Sequence, residues 1–132
     1  PQIAAELTRT RKMLDSIIFA KESQPFVVTL GDFNDGPGQD FFEEYYLLFD
    51  TIDRLLGSPF QKNKLLRPLL IRHRLVASQD QWSASFYDYV DDIKDKHVLL
   101  DHIFVSDALN DVTRQATIAH ELFEKHNDDP NP

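Results

Sequence analysis

A layered α/β unit is the fold class that the sequence predicts, and the element order carries it. An amphipathic helix at the start, a short apolar strand, a second helical stretch and later strand material follow one another along 132 residues. That length suits one domain around one core. The composition, 42% hydrophobic and 27% charged, is ordinary for a globular chain.

Ile3, Leu7, Leu14, Ile17 and Ile18 fall near helical spacing and predict a helix over residues 2–22, ended by Ser23 and Pro25. Phe26 to Leu30 is a continuous apolar run that predicts a buried strand. Residues 31–38 hold three glycines and a proline and predict a turn. From Gln39 to about Leu56 helical character returns, with Phe42, Tyr45, Tyr46, Phe49 and Ile52 facing inward, until Gly57-Ser58-Pro59 breaks it. Residues 60–81 are too apolar for a linker, at Leu65, Leu66, Leu69, Leu70 and Ile71, and Pro68 interrupts any helix there. Trp82 to Val90 alternates as a strand, Asp91 to Lys96 reads as a polar turn, and Val98 to Ser106 is a second strong strand. A mixed stretch to about Glu124, with a strand and a loop, leads to a polar end.

Charge and composition narrow the function classes. The net charge of -8 disfavours a general nucleic-acid binder, because phosphate contacts come mainly from Lys and Arg. Phosphate chemistry through a bound cation is compatible with it. The charge is uneven: between Asp53 and Asp80 the ionised residues are Arg54, Lys62, Lys64, Arg67, Arg72 and Arg74. This basic island suits an anionic partner or a solvated loop. No run is long and apolar enough to span a membrane. The chain has no cysteine, which excludes disulfides and thiolate metal sites and leaves the compartment open.

The segment with the most chemistry is Val27-Val28-Thr29-Leu30-Gly31-Asp32-Phe33-Asn34-Asp35. A strand delivers it to the sheet edge where open α/β folds keep their sites. In extended geometry Asp32 and Asn34 project to one side and Phe33 to the other. An aspartate there can orient or deprotonate water, and an asparagine amide can donate to a phosphate oxygen without adding negative charge. Two other readings stand beside this one. One is a plain strand–turn–helix connector capped by Asp35. The other is a calcium loop with Asp32, Asn34 and Glu43 at positions 1, 3 and 12, which Gly36 and Pro37 spoil. The second segment is Leu99-Leu100-Asp101-His102-Ile103-Phe104-Val105-Ser106. Asp101 inside an apolar strand calls for a donor partner. On a strand it faces away from His102, which reads as a packed or surface histidine. His73, His97, His120 and His126 show no metal-ligand spacing.

Taken together, Gly31-Asp32-Phe33-Asn34 and Leu100-Asp101-His102-Ile103-Phe104-Val105-Ser106 resemble two motifs of the endonuclease/exonuclease/phosphatase superfamily, G-D-x-N and a later strand of the form I-D-Y-I-F-V-S. The resemblance implies half of a four-layer α/β/β/α sandwich like that of pancreatic deoxyribonuclease. It implies hydrolysis of phosphate esters with Mg2+ or Mn2+. Asp32 would act on the attacking water and stand as a possible metal ligand, Asn34 would hold the phosphate, and Asp101 would orient a catalytic histidine. The family's main metal ligands and its closing Ser-Asp-His segment have no counterpart here. Residues 1–132 are therefore expected to be the C-terminal portion of one such domain, inactive alone, with 57–81 an insertion. The partners implied are a phosphate-ester substrate, nucleic acid among the options, and a second copy through exposed sheet surface. The alternative is a non-catalytic binding or interaction module that keeps half the fold.

Overall fold

The computed structural model describes residues 2–36, 38–41, 43–69, 82–88, 93–113 and 118. Helix α1 runs over Gln2–Met13 and continues as a π turn over Leu14–Ile18. The wider turn, closed by Phe19 N–H donating to Leu14 O at 3.0 Å, admits one extra residue and swings Phe19 into the core below Leu14. The regular helix is therefore shorter than the 2–22 expected, and Ile17 points to solvent.

Strand β1 (Val28–Asp32) leads into a turn, a second π turn at Glu43–Leu47 and helix α2 (Thr51–Leu56). The single helix expected over 39–56 is two pieces. Leu48, at φ 60°, breaks the run, and Asp50 starts α2 by accepting from Asp53 N–H. Tyr45 and Tyr46 are exposed, against the inward reading; Ile52 is buried as expected; Phe42 lies outside the described residues.

A single turn of 3-10 helix at Lys62–Lys64 precedes β2 (Leu66–Pro68). β3 (Ala84–Asp88) and β4 (Ile93–Val98) form a hairpin, so the polar turn expected at 91–96 is largely strand. The strand expected over 98–106 is interrupted at Leu99–Leu100, and β5 begins at Asp101 and ends at Ser106. A short helix α3 (Asp107–Asn110) follows directly, where a strand had been expected.

β1, β5 and β2 form one antiparallel sheet in the order β1-β5-β2. β2 is an edge strand, which suits Pro68 because an edge residue needs no second ladder bond. Of the described part of 57–81, Leu66–Pro68 is built into the sheet, with Leu65 and Leu66 buried; residues 70–81 lie outside the described residues. The two helices cover one sheet face, and Leu7, Leu14, Phe19, Val27, Ile52, Leu55, Leu66 and Phe104 fill the space between. Among the described residues, a helical layer thus packs on the three-stranded sheet, and β3 and β4 form a separate two-stranded sheet. The opposite face of the three-stranded sheet is covered at Val105, 2% exposed, but open at its β1 side and toward the Asp32 end, where Val28 is 51% and Leu30 69% exposed. β1 is therefore not the doubly buried strand that its apolar run suggests, because an antiparallel sheet needs only one covered face.

Candidate functional site

The two motifs meet at one end of the sheet. In the β1–β5 register Asp32 stands opposite Asp101, and Leu30 opposite Ile103. Phe33 N–H donates to Leu100 O at 2.8 Å. That bond flanks the Asp32–Asp101 pair and makes it the non-hydrogen-bonded kind, in which the side chains come closest, with Cα atoms about 4.5 Å apart. Both side chains project from the same, open face. Two carboxylates opposed in this way repel, which costs stability unless a cation, a proton or a donor sits between them.

Asp32 is the last residue of β1, and the extended alternation stops there. Asn34 reaches Asp32 by a turn: it sits at φ 50°, in the left-handed region, and its N–H donates to Asp32 Oδ1 at 2.8 Å. Asparagine tolerates that conformation, and the aspartate side chain closes the turn. One oxygen of Asp32 is thus fixed by the backbone, and the other has no hydrogen-bond partner among the described residues. Phe33 packs inward as expected, edge-on to His102 and Phe104 at ring-centroid distances of 5.7 and 5.3 Å.

Asp101 is exposed rather than buried in an apolar strand, because the chain breaks at Leu99–Leu100 and Asp101 opens β5. Among the described residues its carboxylate has no partner; the histidine that the resemblance assigns to it is not among them. His102 faces the other way and is only 2% exposed. It is the packed histidine of the sequence reading, and it has a task that the sequence did not reveal. Its Nε2 lies 2.8 Å from Asp35 O. A carbonyl oxygen only accepts, so Nε2 carries the proton and ties the turn after Asp32 to the sheet.

A second missed residue is Ser83. Its hydroxyl oxygen accepts from Leu100 N–H and Asp101 N–H at 3.0 and 2.9 Å. No spacing pattern marks it, since its partners are backbone groups that only the fold brings near.

Behind the site lies a knot of carboxylates. Glu43 is 3% exposed; its Oε1 accepts from Thr51 N–H and its Oε2 from Asp40 N–H at 3.3 Å. Asp40 Oδ1 returns the bond to Glu43 N–H at 2.8 Å, a reciprocal cap for the turn that follows. Asp35 therefore does not cap a helix; Asp40 and Asp50 do. Both oxygens of Glu43 are engaged, which removes it as a calcium ligand with Asp32 and Asn34. Burial raises the Asp35 carboxyl above its ordinary value, as do Asp50 and Asp40, against the hydrogen bonds from Thr51 and Gly36. Burial also raises Glu43, opposed chiefly by the Thr51 N–H.

Among the described residues no three His, Cys, Asp or Glu side chains gather as a metal-ligand set. Mg2+ needs close to six oxygen ligands, several of them water. Asp32 and Asp101 offer two carboxylates on one face, short of a centre in their own right. The basic island is partly engaged: Arg67 Nε pairs with Asp107 at 2.8 Å, and the Arg54 guanidinium lies 3.8 Å from the Phe49 ring centroid. Arg72 and Arg74 lie outside the described residues, as do His73, His120 and His126. No helix of the described residues is long and apolar enough to cross a membrane. Comparison with known proteins finds no family model, no curated protein and no solved structure that matches the chain.

Proposed function

We propose that this chain is the C-terminal portion of a divalent-metal-dependent phosphoester hydrolase with the four-layer deoxyribonuclease-like fold. The observation that supports this reading is the meeting of the two motifs: Asp32 and Asp101 form a close cross-strand pair, and Asn34 is turned back onto Asp32. A connector loop has no need for two carboxylates that face each other without a cation or charged donor between them among the described residues, at a cost in repulsion. A hydrolytic edge does, because each acidic group then has separate work.

Asp32 has one oxygen held by the Asn34 N–H, so the carboxylate is fixed in rotation and its second oxygen takes the proton of the attacking water. The Asn34 amide donates to a non-bridging oxygen of the phosphate ester and fixes it for in-line attack. Asp101 orients a histidine supplied from outside the described residues. A divalent cation would neutralise charge on the phosphate and the leaving group, with its main ligands also outside them.

Hydrolysis of an aryl phosphodiester and an aryl phosphomonoester by the longer protein, with Mg2+ present, tests this reading. Asp32→Ala should lower the rate by roughly three orders of magnitude, the typical effect of losing a general base. A loss below about tenfold would make Asp32 structural, and an inactive parent would favour a binding module. The preferred ester separates nuclease-like from phosphatase-like members.

A further inference from the structure

We infer that Ser83 is a positioning residue of this hydrolytic edge, acting through Asp101; the role rests on the phosphoesterase reading above. In a non-hydrogen-bonded pair the backbone groups of both residues turn away from the partner strand. The N–H of Asp101 therefore points outward from β1. On that side β2 is the neighbour of β5, but its pairing covers Phe104 to Ser106, and Leu69 N–H adds one bond to Ile103 O at 2.9 Å. The outward N–H of Asp101 lies beyond this stretch. The oxygen that satisfies it is Ser83 Oγ, which takes the Leu100 N–H as well.

The clamp is itself anchored. Ser83 N–H donates to Val98 O at 2.9 Å, which ties the residue to β4 just before the chain turns into β5. Trp82, next to it, stacks on His97 of β4 with ring centroids 4.1 Å apart. One hydroxyl thus joins the β3–β4 hairpin to the first residue of β5. A hydroxyl has two lone pairs and one proton. Both lone pairs are used on the two amides, so the residue needs an oxygen at this position that accepts twice. Alanine leaves two N–H groups without an acceptor and lets the Leu100–Asp101 peptide rotate, and Asp101 loses its place opposite Asp32. Threonine keeps the oxygen.

The test compares Ser83→Ala, Ser83→Thr and Asp32→Ala in the longer protein, at a temperature where each is fully folded. Two readouts are taken: steady-state kinetics on the preferred aryl phosphate ester, and amide hydrogen exchange over Leu99–Asp101. Ser83→Ala should lower kcat by about 10- to 100-fold, as expected when a reacting group is misplaced by about an ångström, with KM nearly unchanged. Exchange at Leu100 and Asp101 should accelerate. Ser83→Thr should recover both. A Ser83→Ala protein with lowered melting temperature but intact kcat would overturn the proposal, and so would unchanged exchange at those amides. If Asp32→Ala leaves hydrolysis unaltered, the phosphoesterase reading itself fails and the role of Ser83 in it falls too, while the exchange data report separately whether the clamp exists.

Discussion

Arg11 is a charged residue inside the core. It is 8% exposed, yet its guanidinium is fully engaged: Nη1 donates to Leu55 O and Leu56 O, Nη2 to Lys64 O at 2.8 Å, and Nε and Nη2 to Asp15. The carbonyls at the end of α2 have no helical partners of their own, and the positive charge suits the negative end of the helix. Gly57 makes room for this arrangement. At φ +92° it adopts a conformation that disfavours side chains, and a Cβ there would fall 2.3 Å from Arg11 Nη1. Gly57→Ala should therefore destabilise the chain by about 1–3 kcal/mol, from backbone strain alone, before the displaced guanidinium is counted. Urea denaturation checks this; a loss under about 0.5 kcal/mol, the range of neutral surface changes, would contradict it. The sequence shows Gly57 as a helix breaker and does not single out Arg11, since three of its acceptors are backbone carbonyls 44 to 53 residues away.

At the scale of elements, the segment 35–51 is governed by Asp35, Asp40, Glu43 and Asp50. Asp35 and Glu43 have folded-state values raised above their ordinary ones, chiefly by burial. Such groups bind protons more tightly when the chain is folded. Their contribution to stability is complete below the ordinary carboxylate value and is lost as pH rises through the raised folded value. Midpoints of urea unfolding should therefore carry a component that declines as pH rises above the ordinary carboxylate value, and Asp35→Asn should reduce it. A wild-type and Asp35→Asn pair with parallel pH profiles would refute the assignment. The elements themselves were legible where apolar spacing is strong, as in α1 and β5, and where a motif pins a strand end, as at Asp32. They were misread where local capping overrides spacing. Leu48 at positive φ and the Asp50 cap cut one apparent helix in two, and the buried Leu99 with its neighbour Leu100 splits an apparently continuous strand. Asp32 and Asp101 were visible as motif residues, but their opposition depends on register, which neither segment contains alone.

For the molecule as a whole, the bare part of the sheet face opposite the helices has the largest consequence. Val28, Leu30 and Ile103 are exposed together on β1 and β5, with Leu30 and Ile103 directly opposed. Contiguous apolar surface of this kind seeks cover. The 132-residue chain should self-associate in a concentration-dependent way, and Leu30→Lys should shift sedimentation toward monomer. A clean monomer at high concentration would show that this face is tolerated bare. The α/β class of the sequence reading matches the mixed helices and sheet observed. The open face was out of reach, because an apolar run announces a buried strand whatever eventually covers it.

The pairing of β1 with β5 also sets when the candidate site can exist during folding. Val27 N–H and Ser106 Oγ, joined at 3.1 Å, are 79 residues apart. Closing a loop of that length costs entropy that only long-range contacts repay, so such pairings form late. The β3–β4 pairing closes a far shorter loop, between Ala84 and Val98. The opposition of Asp32 to Asp101 comes only with the β1–β5 closure, so a chain that has not made it lacks the facing carboxylates.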